Sequence, residues 1–172
     1  VSPLLIVLGG LPATGKTTVA TDLARRTGFA FLRVDTIEQA ILRTGPLGPP
    51  LGPVGYVVAR EVAADVLGTG VSVIAECVNP LSVTRDAWRA TGLGAGARVL
   101  EVEIVCSDPA EHRRRAETRD PGVPGLVPPT WAEITAREYE PWNRDRLVVD
   151  TAGRPVGEAV SAIAAAIGGP QF

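Results

Sequence analysis

One lysine stands against sixteen arginines in this chain, and it lies in Gly10-Leu11-Pro12-Ala13-Thr14-Gly15-Lys16-Thr17, which fits G-x-x-x-x-G-K-[ST]. A lysine kept where every other strongly basic position is arginine suggests a task that a guanidinium cannot perform. That task is a compact ammonium reaching under a tight backbone loop to the β- and γ-phosphates of a nucleotide. Gly9, Gly10 and Gly15 give the loop its freedom to turn and to approach a ligand closely. Successive backbone N–H groups then form an anion nest, reinforced by the positive end of the helix that starts near Gly15. The candidate nucleotide-binding set is Gly10, Ala13, Thr14, Gly15, Lys16, Thr17 and Thr18, with the Thr17 hydroxyl placed to meet Mg²⁺.

Two carboxylates and an arginine cluster complete the candidate chemistry. Asp35 follows the apolar run Phe29-Ala30-Phe31-Leu32-Arg33-Val34 and opens a helix. It is the candidate general base, because phosphoryl transfer to an alcohol needs a carboxylate to orient the hydroxyl and accept its proton. Aspartate is also a favoured helix N-cap, and the two roles can coexist. Glu76 ends Val71-Ser72-Val73-Ile74-Ala75. It could bind Mg²⁺, assist the base, or pair with a nearby arginine. Arg113, Arg114, Arg115 and Arg119 are the densest group of cations. Arg115 and Arg119 share a helix face, where a mobile arginine could stabilise a transferring phosphoryl group. The plainer reading is a solvated helix with Glu111 and Glu117 as partners. Arg85 and Asp86 could contact substrate or form a surface pair. The sole histidine, His112, reads as solvated or lid-lining, and Trp88, Trp131, Trp142, Tyr56 and Tyr139 as core or lid packing.

These residues need a scaffold, and the chain alternates strand and helix signals. Strands are expected at about 4–8, 29–34, 71–75, 98–105 and 147–149, and helices at about 15–27, 36–43, 54–68, 81–91, 109–119, 130–139 and 156–167. Gly- and Pro-rich stretches at 45–55 and 120–129 read as irregular loops. The alternation predicts an α/β fold, a parallel sheet with helices on both faces and right-handed crossovers. Ligands in such sheets bind outside the carboxyl ends of the strands, which draws attention to Asp35, Glu76, Ser107 and Asp150.

Length and composition set the remaining bounds. A chain of 172 residues with 45% hydrophobic content reads as one globular domain, 1–172. Within it, 43–60 is the expected acceptor-side segment and 113–129 the expected lid. A net charge of −2 gives no general attraction to nucleic acid. Cys77 and Cys106 lie in apolar runs and read as reduced thiols of a cytoplasmic protein. The N-terminal apolar run enters the glycine loop directly and reads as a strand, and no segment approaches a membrane span. A monomer or homodimer is expected.

The phosphate-loop sequence, the strand-two segment Phe31 to Ile37 and the arginine-rich helix before a short Pro/Gly segment together resemble the small P-loop kinases. Gluconate kinase, shikimate kinase and chloramphenicol phosphotransferase are the groups of reference. Ala75 to Asp86 resembles the gluconate kinase segment that ends in an arginine–aspartate pair. Val149-Asp150-Thr151-Ala152-Gly153 is similar to the turn that borders adenine. The resemblance implies a P-loop NTPase three-layer sandwich with sheet order 2-3-1-4-5. It also implies ATP with Mg²⁺ and transfer of the γ-phosphate to a small hydroxyl compound. Lys16 and Thr17 match the phosphate-loop pair, Asp35 the strand-two acid, Arg115 or Arg119 the lid, and Asp150 the adenine turn. The chain departs from gluconate kinases in having Thr36-Ile37 where a histidine is expected, and it has Glu76 in place of a second metal-binding aspartate.

The leading expectation is thus an ATP-dependent small-molecule kinase acting on a sugar acid, antibiotic or similar metabolite. Alternatives are a nucleoside or nucleotide kinase, and a non-kinase ATP-binding regulatory module. A polynucleotide end kinase ranks lower without a basic stripe. A guanine-specifying N-K-x-D motif is impossible, because Lys16 is the only lysine.

Overall fold

The computed structural model describes residues 2–45 and 47–168; position 46 and both ends of the expected 1–172 domain lie outside the described residues. The strands β1 (Leu4–Gly9), β2 (Ala30–Arg33), β3 (Val73–Glu76), β4 (Arg98–Val105) and β5 (Leu147–Asp150) form one parallel sheet in the order β2-β3-β1-β4-β5. Around it lie the helices α1 (Lys16–Thr27), α2 (Val34–Thr44), α3 (Val54–Gly68), α4 (Ser82–Gly94), α5 (Pro109–Thr118), α6 (Trp131–Ala136) and α7 (Val156–Ala166). The α/β architecture and sheet order expected from the sequence are those observed.

The central strand explains the layers. Side chains alternate across a strand, so β1 feeds two cores. Leu4, Ile6 and Leu8 pack with Val19, Ala20 and Leu23 of α1 and with Val160 and Ile163 of α7. Leu5 and Val7 pack with Ala59, Ala63 and Leu67 of α3 and Trp88 of α4. Burial on both faces is why the strand reads as an unbroken apolar run. The loop after β1 therefore starts from a rigid base.

Two elements differ from the sequence expectation. The run Phe29–Val34 reads as one strand, but pairing with β3 ends at Arg33 opposite Glu76. Val34 instead starts α2 and is buried in the second core. Asp35 consequently lies in the first turn of α2, and no side-chain bond caps that helix, so the N-cap role does not apply. The second difference is α6, which is capped by reciprocal Thr130–Glu133 bonds but stops at Ala136 rather than 139. The chain leaves the helix there to pack around Arg85. That guanidinium is fully buried and donates to the carbonyls of Asn79 (3.0 Å), Pro80 (3.0 Å), Glu140 (2.8 Å) and Pro141 (3.2 Å). It also stacks on Trp142, 4.2 Å from the ring centroid. Arg85 is thus a clamp holding 139–142 against the start of α4, not a substrate contact, and Asp86 pairs with Arg144 at 2.7 Å. Tertiary packing has overridden helix propensity here.

Cys77 and Cys106 are free and buried. Among the described residues no helix is long and apolar enough to cross a membrane.

Candidate active site

The loop between β1 and α1 is shaped by backbone conformation. Gly10 has φ 140°, and a Cβ there would lie 2.2 Å from the carbonyl oxygen of Ile104. Only glycine fits so close to β4. Gly15 is left-handed at φ 99°, and Ala13 also takes a positive φ of 65°. Lys16 opens α1, is buried, and donates from Nζ to the Leu11 carbonyl at 2.8 Å. An ammonium has three donors, so two remain for a ligand in the nest. Burial pulls the Lys16 ammonium below its ordinary value, while Glu76 and Asp35 oppose that.

Two residues brace this loop from outside. Thr151, just after β5, donates from its hydroxyl to the Thr14 carbonyl at 2.6 Å. His112 on α5 donates from Nε2 to the Pro12 carbonyl at 2.8 Å and meets Trp131 edge to face. His112 is buried, so the expectation of a solvated residue is corrected: its Nε2–H fixes the loop. Neither brace belongs to the glycine–lysine motif, and only the fold brings Thr151 and His112 to it.

The carboxyl ends of β2 and β3 bring the acids and a further arginine to the same place. Glu76 is 4% exposed and accepts from the Thr17 hydroxyl at 3.1 Å. Arg33 Nε lies 3.2 Å from Glu76 Oε2, although the pair is not aligned as a hydrogen bond. The second Arg33 contact is Asp35, at 4.0 Å. Burial pushes the Glu76 carboxyl up, against the pull of Lys16, Arg33 and the Thr17 bond. Arg33 was legible as a charged residue closing an apolar strand beside Asp35, but no motif or spacing assigned it a role.

The arginine-rich helix divides by face. Arg113 pairs with Glu117 at 2.8 Å and Arg114 approaches Glu111 at 4.0 Å, both in solvent. The inward pair splits again. Arg115 is fixed by Glu111 and by donation to the Thr151 hydroxyl (2.8 Å) and carbonyl (2.9 Å). Arg119, which ends α5, has a buried Nε without a hydrogen-bond partner among the described residues.

Two cavities meet across these groups. One, of about 650 Å³, is lined by Ala13, Gly15, Lys16, Thr17 and Thr18 of the loop and helix, Arg115, and Thr151 and Arg154 after β5. The other, of about 710 Å³, is lined by Asp35 and Glu38 of α2, Tyr56 of α3, Glu76 and Arg137. Lys16, Thr17, Arg33 and Arg119 line both. Residues 119–122 border the first cavity and 126–129 the second, so the expected lid segment spans their junction. Of the 43–60 segment, Tyr56 lines the second cavity and Gly55 backs Glu38. Asp150 borders neither cavity. Its carboxylate accepts from Ser107 and Ala152 and so shapes the turn, leaving Thr151 to face the loop. Ser107 is correspondingly occupied with Asp150.

The donor set fits a phosphate-bound divalent cation. Among the described residues no three His, Cys, Asp or Glu side chains form a metal cage. A hydroxyl beside one buried carboxylate, Thr17 with Glu76, suits Mg²⁺, which takes its other ligands from phosphates and water.

Comparison with known proteins agrees with this geometry. A family model described as an AAA domain matches residues 5–125. A shikimate kinase of Frankia casuarinae is 34% identical over 167 residues, covering 95% of this chain and 72% of the relative. The fold is similar to that of the APS kinase of Mycobacterium tuberculosis in complex with AMPPNP and APS, with TM-score 0.74, 20% identity, and coverage of 97% of this chain and 98% of that one. It is also similar to a gluconokinase of Sinorhizobium meliloti 1021, with TM-score 0.65, 19% identity, and coverage of 97% and 93%. The glycine–lysine loop, the sheet order and the sequence match over most of the chain place this protein in the AAA-domain family of P-loop kinases.

Proposed function

We propose that this protein transfers the γ-phosphoryl group of ATP to a hydroxyl of a small molecule. The observation that carries the reading is the meeting of two cavities at Lys16, Thr17, Arg33 and Arg119, with Asp35 lining the second and not the first. The loop-side cavity takes the nucleotide and the other the acceptor. The loop N–H groups, Lys16 and the N-terminus of α1 hold the β- and γ-phosphates. Thr17 and Glu76 would hold Mg²⁺, which supplies charge neutralisation at the phosphates. Asp35 orients the acceptor hydroxyl and takes its proton as the oxygen bonds to the γ-phosphorus; the bond from that phosphorus to the departing ADP oxygen breaks. Arg119, whose Nε has no hydrogen-bond partner among the described residues, meets the charge that develops on the transferring group. Arg115 lines the nucleotide cavity and fixes Thr151. Residues 119–129 cover the junction and exclude water, limiting ATP hydrolysis.

The test is an ATP-consumption screen with polyols, sugar acids, amino sugars and nucleosides as acceptors. At least one acceptor should raise ADP release well above the rate with water alone. Asp35→Asn should lower kcat for that acceptor by about 10²–10⁴-fold with ATP affinity nearly unchanged. Equal loss of ATP binding would move Asp35 into the metal shell. Failure of every acceptor class would leave a nucleotide-binding module and overturn the kinase reading.

A further inference from the structure

Charge is unevenly distributed along the acceptor-side cavity. Its cations Lys16, Arg33 and Arg119 stand at the end shared with the nucleotide cavity, and Arg33 is already engaged by Glu76 and Asp35. Acids line the same cavity: Asp35, 4.0 Å from Arg33, and Glu38 are three apart on α2 and so share a helix face. Glu133 lines the same cavity, and the exposed Arg137 is the cation that acts on Glu38.

Glu38 is not a loose surface acid. It lies over buried Gly55 of α3, where a Cβ would come within 2.2 Å of Glu38 Cγ and 2.7 Å of Oε1. The absent side chain at 55 therefore makes room for the Glu38 carboxyl between the two helices. Among the described residues Glu38 has neither a hydrogen bond nor an ion pair, although Arg137 acts on it at longer range. Burial first, and then Asp35, push its carboxyl up to about 7. Deeper in the cavity, Glu76 is 4% exposed and its Oε2 also accepts no hydrogen bond. A carboxylate set beside Glu38 would add a second negative charge there, where Arg137 is the cation that acts on Glu38. A cation would give the half-buried Glu38 carboxyl the partner it lacks among the described residues.

We infer that the acceptor carries a protonated amine close to the hydroxyl that is phosphorylated, with the ammonium facing Glu38 and the hydroxyl facing Asp35. This rests on the phosphotransfer reading of the same site. Side chains three apart on a helix have Cβ atoms about 5–6 Å apart, so the amine and hydroxyl belong on one small ring or short chain. Amino sugars and aminocyclitols meet that description.

The test is calorimetric binding to the protein saturated with Mg²⁺ and a non-hydrolysable ATP analogue. The probes are 2-deoxystreptamine and glucosamine as amines, myo-inositol as a neutral polyol, and shikimate as a carboxylate. One of the amines should bind about 10-fold or more tightly than both other probes, the scale of a hydrogen bond to a charged group. Glu38→Gln, which is isosteric, should erase that preference while changing myo-inositol binding by less than about threefold. Tighter binding of shikimate, no detectable binding of either amine, or an amine preference untouched by Glu38→Gln would overturn the inference. The two readings separate when ATP replaces the analogue. An amine bound through Glu38 but never phosphorylated refutes phosphotransfer and keeps the inference. Preferential phosphorylation of shikimate does the reverse.

Discussion

Thr151→Val removes one hydroxyl and should loosen the phosphate loop from outside its own sequence. The wild-type hydroxyl has one proton and gives it to the Thr14 carbonyl at 2.6 Å; the Val105 carbonyl is the longer alternative at 3.1 Å. The same oxygen accepts from Arg115 Nη1 at 2.8 Å. Valine keeps the shape and β-branching but satisfies neither bond. Thr14 is buried, so its carbonyl loses a partner where water has little access. An orphaned buried acceptor costs about 1–3 kcal/mol, and a bond lost from a charged donor adds about 1 kcal/mol or more. Arg115 keeps the Thr151 carbonyl (2.9 Å) and Glu111, which limits that second loss. The sum is about 2–4 kcal/mol, equivalent to a fall in Tm of about 4–16 °C for a domain of this size. Calorimetric melting of the wild type, Thr151→Val and Thr151→Ser checks it. Serine should restore most of the loss, since it retains the donor and acceptor. ATP should bind Thr151→Val more weakly, because the nest must be ordered on binding. A valine variant that melts with the wild type and binds ATP equally well would refute the brace.

Other perturbations separate the roles of the remaining groups. Lys16→Ala should abolish phosphoryl transfer while the fold survives, and Lys16→Arg should fail to restore it, because the planar fork does not reproduce a point charge inside the nest; turnover by either variant, measured by coupled ADP release, refutes the assignment. Arg119→Ala should lower kcat by about 10³-fold or more with little change in Tm, since its Nε has no partner to lose among the described residues. Arg115→Ala should instead lower Tm, because it gives up bonds to Thr151 and Glu111; the opposite pattern in paired melts and rate measurements would exchange their roles. Glu38→Gln carries a pH signature. With its carboxyl at about 7 against an ordinary value of 4.5, the folded state keeps a proton that the unfolded chain has released. Glu38 therefore weakens the fold progressively as pH rises from about 4.5 through 7. The glutamine variant should gain in Tm over the wild type between pH 5 and pH 8, and parallel Tm–pH curves would show that Glu38 is not held in that environment.

The donor half of the site was legible because its chemistry is local. A glycine–lysine loop must sit between one strand and one helix, and Gly10, Gly15, Lys16 and Thr17 fall within one short stretch in which backbone conformation dictates the glycines. The sheet was legible for a similar reason, since β1 buries both faces and its run Leu4 to Leu8 shows it. The periodicity of α5 also placed Arg115 and Arg119 together, but it could not tell that one is bonded to Thr151 and the Nε of the other has no hydrogen-bond partner among the described residues.

What sequence could not supply was everything that depends on contacts between distant segments. Asp35 as a capping residue was a reasonable local reading, yet the register of β2 against β3 moved the start of α2 back to Val34 and ended it. Arg85 looked like a residue for substrate until Tyr139, Glu140 and Trp142 closed around it from more than fifty positions away. His112 and Thr151 gave no motif, because bracing a carbonyl requires only one donor in the right place, and the residues that meet it lie 100 and 137 positions away along the chain. The sequence by itself determined the α/β class, the phosphate loop and the face of the arginine helix, since these follow from local spacing and strand burial. The tertiary structure alone decided which arginine and which acid lack a partner among the described residues and which distant hydroxyl holds the loop, because charge pairing and burial are properties of the folded surface and not of neighbours in the chain.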